Sequence, residues 1–129
     1  MITTAEVSRM ERQVGVGLAF DKVMDVFEED IEASASLETE LTPISHIKRI
    51  VGLITHDIAE DKGELELLFY RDENGSDLVG TLAGYLDVGQ HTIDVIPFAD
   101  FLKIKITNTD TGTKTVTSAI AGHYGPFKD

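Results

Sequence analysis

From Ile31 to Leu41, Ile31, Ala33, Ala35, Leu37, Thr39 and Leu41 alternate with Glu32, Ser34, Ser36, Glu38 and Glu40. A two-residue period puts each set on its own face, so the spacing predicts one strand with a wet side. Pro43 breaks that ladder. The run Ile47–Ile58 is apolar at both parities (Ile50, Val51, Leu53, Ile54), as expected of a central strand. Glu60–Gly63 supply a turn, and a third strand follows with Leu65, Leu67 and Phe69 inward and Glu64 and Glu66 outward. Asn74-Gly75 within Asp72–Ser76 offers the positive φ angles of a hairpin turn.

A fourth strand is expected over Leu78–Leu86. A fifth, His91–Phe98, has Ile93 and Val95 inward and is confined to an edge or an end by Pro97. In the sixth, Phe101–Thr107, Leu102, Ile104 and Ile106 alternate with Lys103, Lys105 and Thr107. A seventh spans Lys114–Ala121, and Gly122–Asp129 reads as a tail. Short turns and the lack of any βαβ crossover predict an all-β domain over residues 31–129, an antiparallel two-sheet sandwich of about seven to eight strands.

Residues 1–30 carry mixed periods. Thr3 and Glu6 are spaced as a capping box, and Val7, Met10 and Val14 follow at helical intervals. Val14, Val16, Leu18 and Phe20 alternate like a strand, after which Phe20, Val23, Met24 and Phe27 return to helical spacing. This predicts a short helix, a Gly-containing kink and a second short helix. The rival reading is an extended arm packed on a neighbouring subunit.

Composition narrows the function. At 129 residues one core is expected. Twenty-three acidic residues against eleven Lys and Arg give a net charge of −12, which disfavours nucleic acid and anionic membranes as partners. No stretch approaches the roughly 18–20 apolar residues of a membrane span. Glu6, Arg9, Glu11 and Arg12 interrupt any secretion signal, so synthesis and folding in the cytoplasm are expected. Without Cys there is no disulfide, thiolate catalysis or Cys-based metal site.

Candidate chemistry is sparse. His46, His56, His91 and His123 are far apart, with no close partner to form a metal ridge. No Ser sits in a Gly-x-Ser-x-Gly elbow. Glu28-Glu29-Asp30 and the pair Glu38 and Glu40 read as solvated surface rather than paired acid catalysts. Asp72, Asn74 and Asp77 around Gly75 offer oxygen ligands for a cation, against a plain β-turn as the alternative, and Asp110 stands in a similar loop. Gly15-x-Gly17 lacks the third Gly and the βαβ setting of a nucleotide site. Tyr70, Tyr85 and Tyr124 are the aromatics available to stack on a sugar, and Trp is absent. A non-enzymatic protein without cofactors, acting through its surfaces, is the expectation.

The alternating first strand, Ile50-Val51-Gly52-Leu53-Ile54, the Gly-Glu-Leu-Glu-Leu strand with its Asp-Glu-Asn-Gly turn, and the run Val95–Thr109 carry a resemblance. Over Ile31–Ala121 the chain resembles jelly-roll β-sandwich virion proteins of tailed bacteriophages: capsid decoration or cement proteins, neck and tail-tip modules. The resemblance implies a homo-oligomer, a trimer among the options, docked on other virion proteins such as the major capsid protein and located in the virion. The same architecture occurs in carbohydrate- and receptor-binding modules, which keeps a glycan partner open.

Overall fold

The computed structural model describes residues 20–124, with side chains described from 28 to 123. Its elements are β1 (Phe20–Ile31), β2 (Ser36–Glu38), β3 (Thr42–Pro43), β4 (Ile47–His56), β5 (Gly63–Tyr70), β6 (Leu78–Tyr85), β7 (Gln90–Val95), β8 (Phe101–Asn108) and β9 (Lys114–Tyr124). There is no helix among the described residues.

Every pairing is antiparallel. One sheet has the order β1-β9-β4-β7 and the other β2-β8-β5-β6, with β3 also on β8. Setting the two-residue β3 aside, eight strands in two interleaved four-strand orders make a jelly roll. The alternation explains the packing. In the second sheet Leu65, Leu67 and Phe69 of β5 lie opposite Ile106, Ile104 and Leu102 of β8, and all six are buried. From the first sheet Ile50, Ile54, Ile93, Val116 and Ile120 join the same core. Gly52 is small for a packing reason, since a Cβ there would stand 2.8 Å from Ile120 Cγ1.

Three expectations change. Phe20–Ile31 is a strand on β9, so the helix expected over Phe20–Phe27 does not form, and the sandwich includes this segment instead of starting at Ile31. The expected features on residues 1–19 lie outside the described residues. The single strand expected over Ile31–Leu41 is divided, because Ser34 takes a left-handed φ of 62° and the chain crosses from one sheet to the other. The last strand continues beyond Ala121 to Tyr124, into what was expected to be tail.

Asn108 locks that crossing. It is 0% exposed. Its Nδ2 donates to Ile31 O (2.9 Å), Gly112 O (3.1 Å) and Glu32 O (3.3 Å), and its Oδ1 accepts from Asp110 N–H at 2.9 Å. Its own backbone pairs with Ala35 O and Ser34 N–H. One side chain thus satisfies the polar groups of two turns that would otherwise be buried without partners.

Candidate functional site

The sheet order leaves β6 at an edge, bonded to β5 alone among the described strands. Natural edges are usually blunted by charge, proline or cover. Leu78–Leu86 contains none of the charged residues or prolines that do this. Within residues 78–98 the only charged groups are Asp87 and Asp94. The same stretch holds all six large hydrophobic residues exposed among the described residues: Leu78, Val79, Tyr85, Val88, Ile96 and Phe98. Ile96 reaches 75%, Val88 64% and Tyr85 58% exposure.

Beside this edge the two sheets part. A cleft of about 240 Å³ opens between β6 and β7, with Leu65, Leu67, Leu82 and Ile93 in its apolar wall and Tyr85 and His91 among its polar groups. Near the other end of β6, Phe98 packs on Phe69, the ring centroids 4.8 Å apart. Gly80 makes room for that ring, since a Cβ would meet Phe98 Cδ2 at 2.8 Å. A second hollow, about 270 Å³, places Tyr85 beside Glu64 and Glu66.

An ion pair and a hydrogen-bonded His border the cleft. Arg49 on β4 grips Asp94 on β7 with two bonds, Nε to Oδ1 at 2.7 Å and NH2 to Oδ2 at 2.6 Å. The Arg49 guanidinium holds the Asp94 carboxyl below the usual carboxylate range. Asp87 N–H donates to His91 Nδ1 at 3.1 Å. This arrangement suits an apolar or aromatic group entering from outside, flanked by fixed charge.

The sequence candidates fall elsewhere. Asp72 caps its own turn: its carboxylate accepts from Ser76 Oγ–H at 2.5 Å and from Asp77 N–H at 2.8 Å. Those donors, Ser76 Oγ–H foremost, lower its pKa. Asp77 pairs with Arg71 at 3.1 Å, and only Gly75 of the Asn-Gly pair takes a positive φ. Turn hydrogen bonds and the Arg71 pair thus engage Asp72 and Asp77, and among the described residues there is no group of three or more His, Asp or Glu placed to hold a metal ion. Asp110 likewise serves its loop, accepting from Ala59 N–H and Thr111 N–H, which depress its pKa in that order.

The histidines are dispersed. His46 is exposed. His56 is buried and satisfied: Nδ1 accepts from Ile58 N–H, which leaves Nε2–H to donate to the Asp87 carbonyl at 2.6 Å. His123 is buried and engaged. Of the tyrosines, Tyr85 alone reaches the edge site, Tyr70 is half-buried on β5, and the Tyr124 side chain lies outside the described residues. Val79, Val88, Ile96 and Phe98 were not singled out from sequence. The available signal was the near absence of charge over 78–98 in a chain that is 26% charged.

No protein-family model matches the sequence, and no curated protein matches it. Similar folds occur among solved structures. The PBSX exported protein XepA aligns with a TM-score of 0.62 at 10% identity, over 83% of this chain and 39% of that one. The chain thus spans well under half the length of that neighbour. The SPBc2 prophage-derived protein YomS aligns at 0.43 with 16% identity, over 76% of this chain and 93% of that one. The C-terminal CBM6 of LamC, a laminarinase from Zobellia galactanivorans, aligns at 0.43 with 14% identity, over 78% and 97%. At these identities the likeness is one of fold, and that fold is the antiparallel β-sandwich described above.

Proposed function

We propose that this chain is a non-enzymatic structural subunit of a phage-derived particle: a capsid decoration or cement protein that assembles as a homo-oligomer and docks on other virion proteins such as the major capsid protein. It is made in the host cytoplasm and resides in the virion. One observation carries the reading. Among the described residues, the exposed large hydrophobic residues are confined to residues 78–98, where Asp87 and Asp94 are the only charges, on an otherwise acidic molecule, the distribution of a surface built to be covered. The fold shared with a PBSX exported protein agrees with it. The reading is tested by adding purified protein to particles that lack it and measuring co-sedimentation. Saturable binding at a fixed stoichiometry is expected, and no binding to any such particle sinks the proposal.

A second reading has its own observation. Tyr85 stands well exposed between an apolar cleft and the carboxylates of Glu64 and Glu66, an aromatic platform with nearby acceptors of the kind that holds a sugar ring. A carbohydrate- or receptor-binding role predicts glycan-array signal that disappears in Tyr85→Ala and persists in Tyr70→Ala.

A further inference from the structure

The assembly reading above leaves open which surface joins which, and the geometry of β6 answers this. Its outer side has no strand partner among the described residues, and an unpaired row of N–H and C=O groups is a template for another strand. The acidic remainder of the molecule repels a second copy. The neutral run Leu78–Leu86 is where two chains of charge −12 can meet without bringing carboxylates together along the contact.

We infer that β6 is a self-pairing edge: two copies join antiparallel about a two-fold axis through Leu82, extending the β2-β8-β5-β6 sheet of one copy into that of the other. Leu82 is the midpoint of the neutral run, so this register overlaps it end to end. A two-fold axis perpendicular to the sheet keeps each face continuous, so inner residues meet inner and outer meet outer. The ladder of β6 to β5 is regular from Gly80 to Tyr85 and irregular at Val79, so the core of the joint is Gly80–Gly84. Gly80 faces Gly84 on the inner side, where small residues let the backbones approach. Thr81 faces Ala83. The cleft between β6 and β7 lies beside the joint, so pairing shields the apolar wall that each copy leaves open.

The test is charge exchange at the centre of the register in the full chain. Thr81 and Ala83 are exposed, so Thr81→Lys/Ala83→Lys and Thr81→Glu/Ala83→Glu leave the fold intact, as circular dichroism verifies. Sedimentation equilibrium of the wild type is expected to give a dimer in the micromolar range. Each double variant alone raises the dissociation constant roughly tenfold or more, because like charges then face each other twice. An equimolar mixture of the two restores the dimer as a heterodimer. A wild type that is monomeric throughout, or dimers that persist equally in both variants, overturns the inference. A monomeric wild type whose edge variants lose particle binding assigns β6 to a strand of a different protein, and overturns it too. Particle binding is read separately, so a dimer that binds no particle removes the virion reading and leaves the edge standing.

Discussion

Along the β1/β2 side of the sandwich, Asn108 ties two turns together with every polar group of its amide engaged. Along the β6/β7 side the sheets separate over an apolar cleft bordered by half-exposed Tyr85. The first side is finished from within by hydrogen bonds. Along β6 itself the second has no charged residue to finish the edge, and its exposed apolar area is what an added strand would cover. An edge can thus stand out by where it omits protection, without any distinctive motif.

The contrast can be broken or sharpened by substitution. The largest effect is expected beneath the open side. Phe69 is fully buried at the base of Phe98, so Phe69→Ala should cost about 4 kcal/mol in urea unfolding. A cost near that of a surface change would show that the open side has no firm floor. On the closed side, Asn108→Ala leaves the Ile31 and Gly112 carbonyls and the Asp110 N–H without their partner. A loss of about 3 kcal/mol is expected by the same measurement. Gly80→Ala pushes a Cβ against Phe98, but that ring is half-exposed and can swing outward. About 1 kcal/mol is expected, with a change in near-ultraviolet dichroism from the displaced aromatic. Val79→Ser at the rim should change unfolding by no more than about 0.5 kcal/mol in monomeric protein.

The smallest effect is on pH dependence. Asp72, Asp94 and Asp110 all have folded pKa values below the ordinary one. The unfolded chain binds protons first as pH falls, so their contribution is complete above about pH 4 and is lost as pH drops through the folded values. Asp110→Asn should lower stability near neutrality and flatten the profile below about pH 4, where the wild type loses the same contribution. A profile that keeps its full slope would show that the Ala59 and Thr111 hydrogen bonds do not favour the ionised carboxylate.

Much of this fold is legible in the residues. Leu65/Leu67/Phe69 and Leu102/Ile104/Ile106 alternate without interruption and pair as a ladder, and Ile47–His56, apolar at both parities, is central between β9 and β7. The β1 strand misleads for a physical reason. Its pairing with β9 shifts register between Phe20 and Lys22 and again between Val23 and Asp25, and each irregularity resets the two-residue phase. The result is an apolar spacing of three and four, which reads as a helix. The division of Ile31–Leu41 is hidden because Ala35, Leu37, Thr39 and Leu41 keep their alternation across the break. The edge site is harder still. Leu78–Leu86 looks like a central strand by composition, and only the order of strands around it shows that one side is vacant.

The position of the last two strands also governs how the molecule comes into being. In both sheets the element between the first strand and the middle ones is supplied from the C-terminal part of the chain, β9 between β1 and β4 and β8 between β2 and β5. During translation only the β4–β7 and β5–β6 ladders have both members available before residue 101 is added. Strand β1 must wait for a partner far downstream, Phe20 meeting His123 and Ile31 meeting Lys114. Folding is therefore expected to be late, slow and nearly all-or-none, and nascent chains stopped short of β8 carry unpaired strands that invite aggregation.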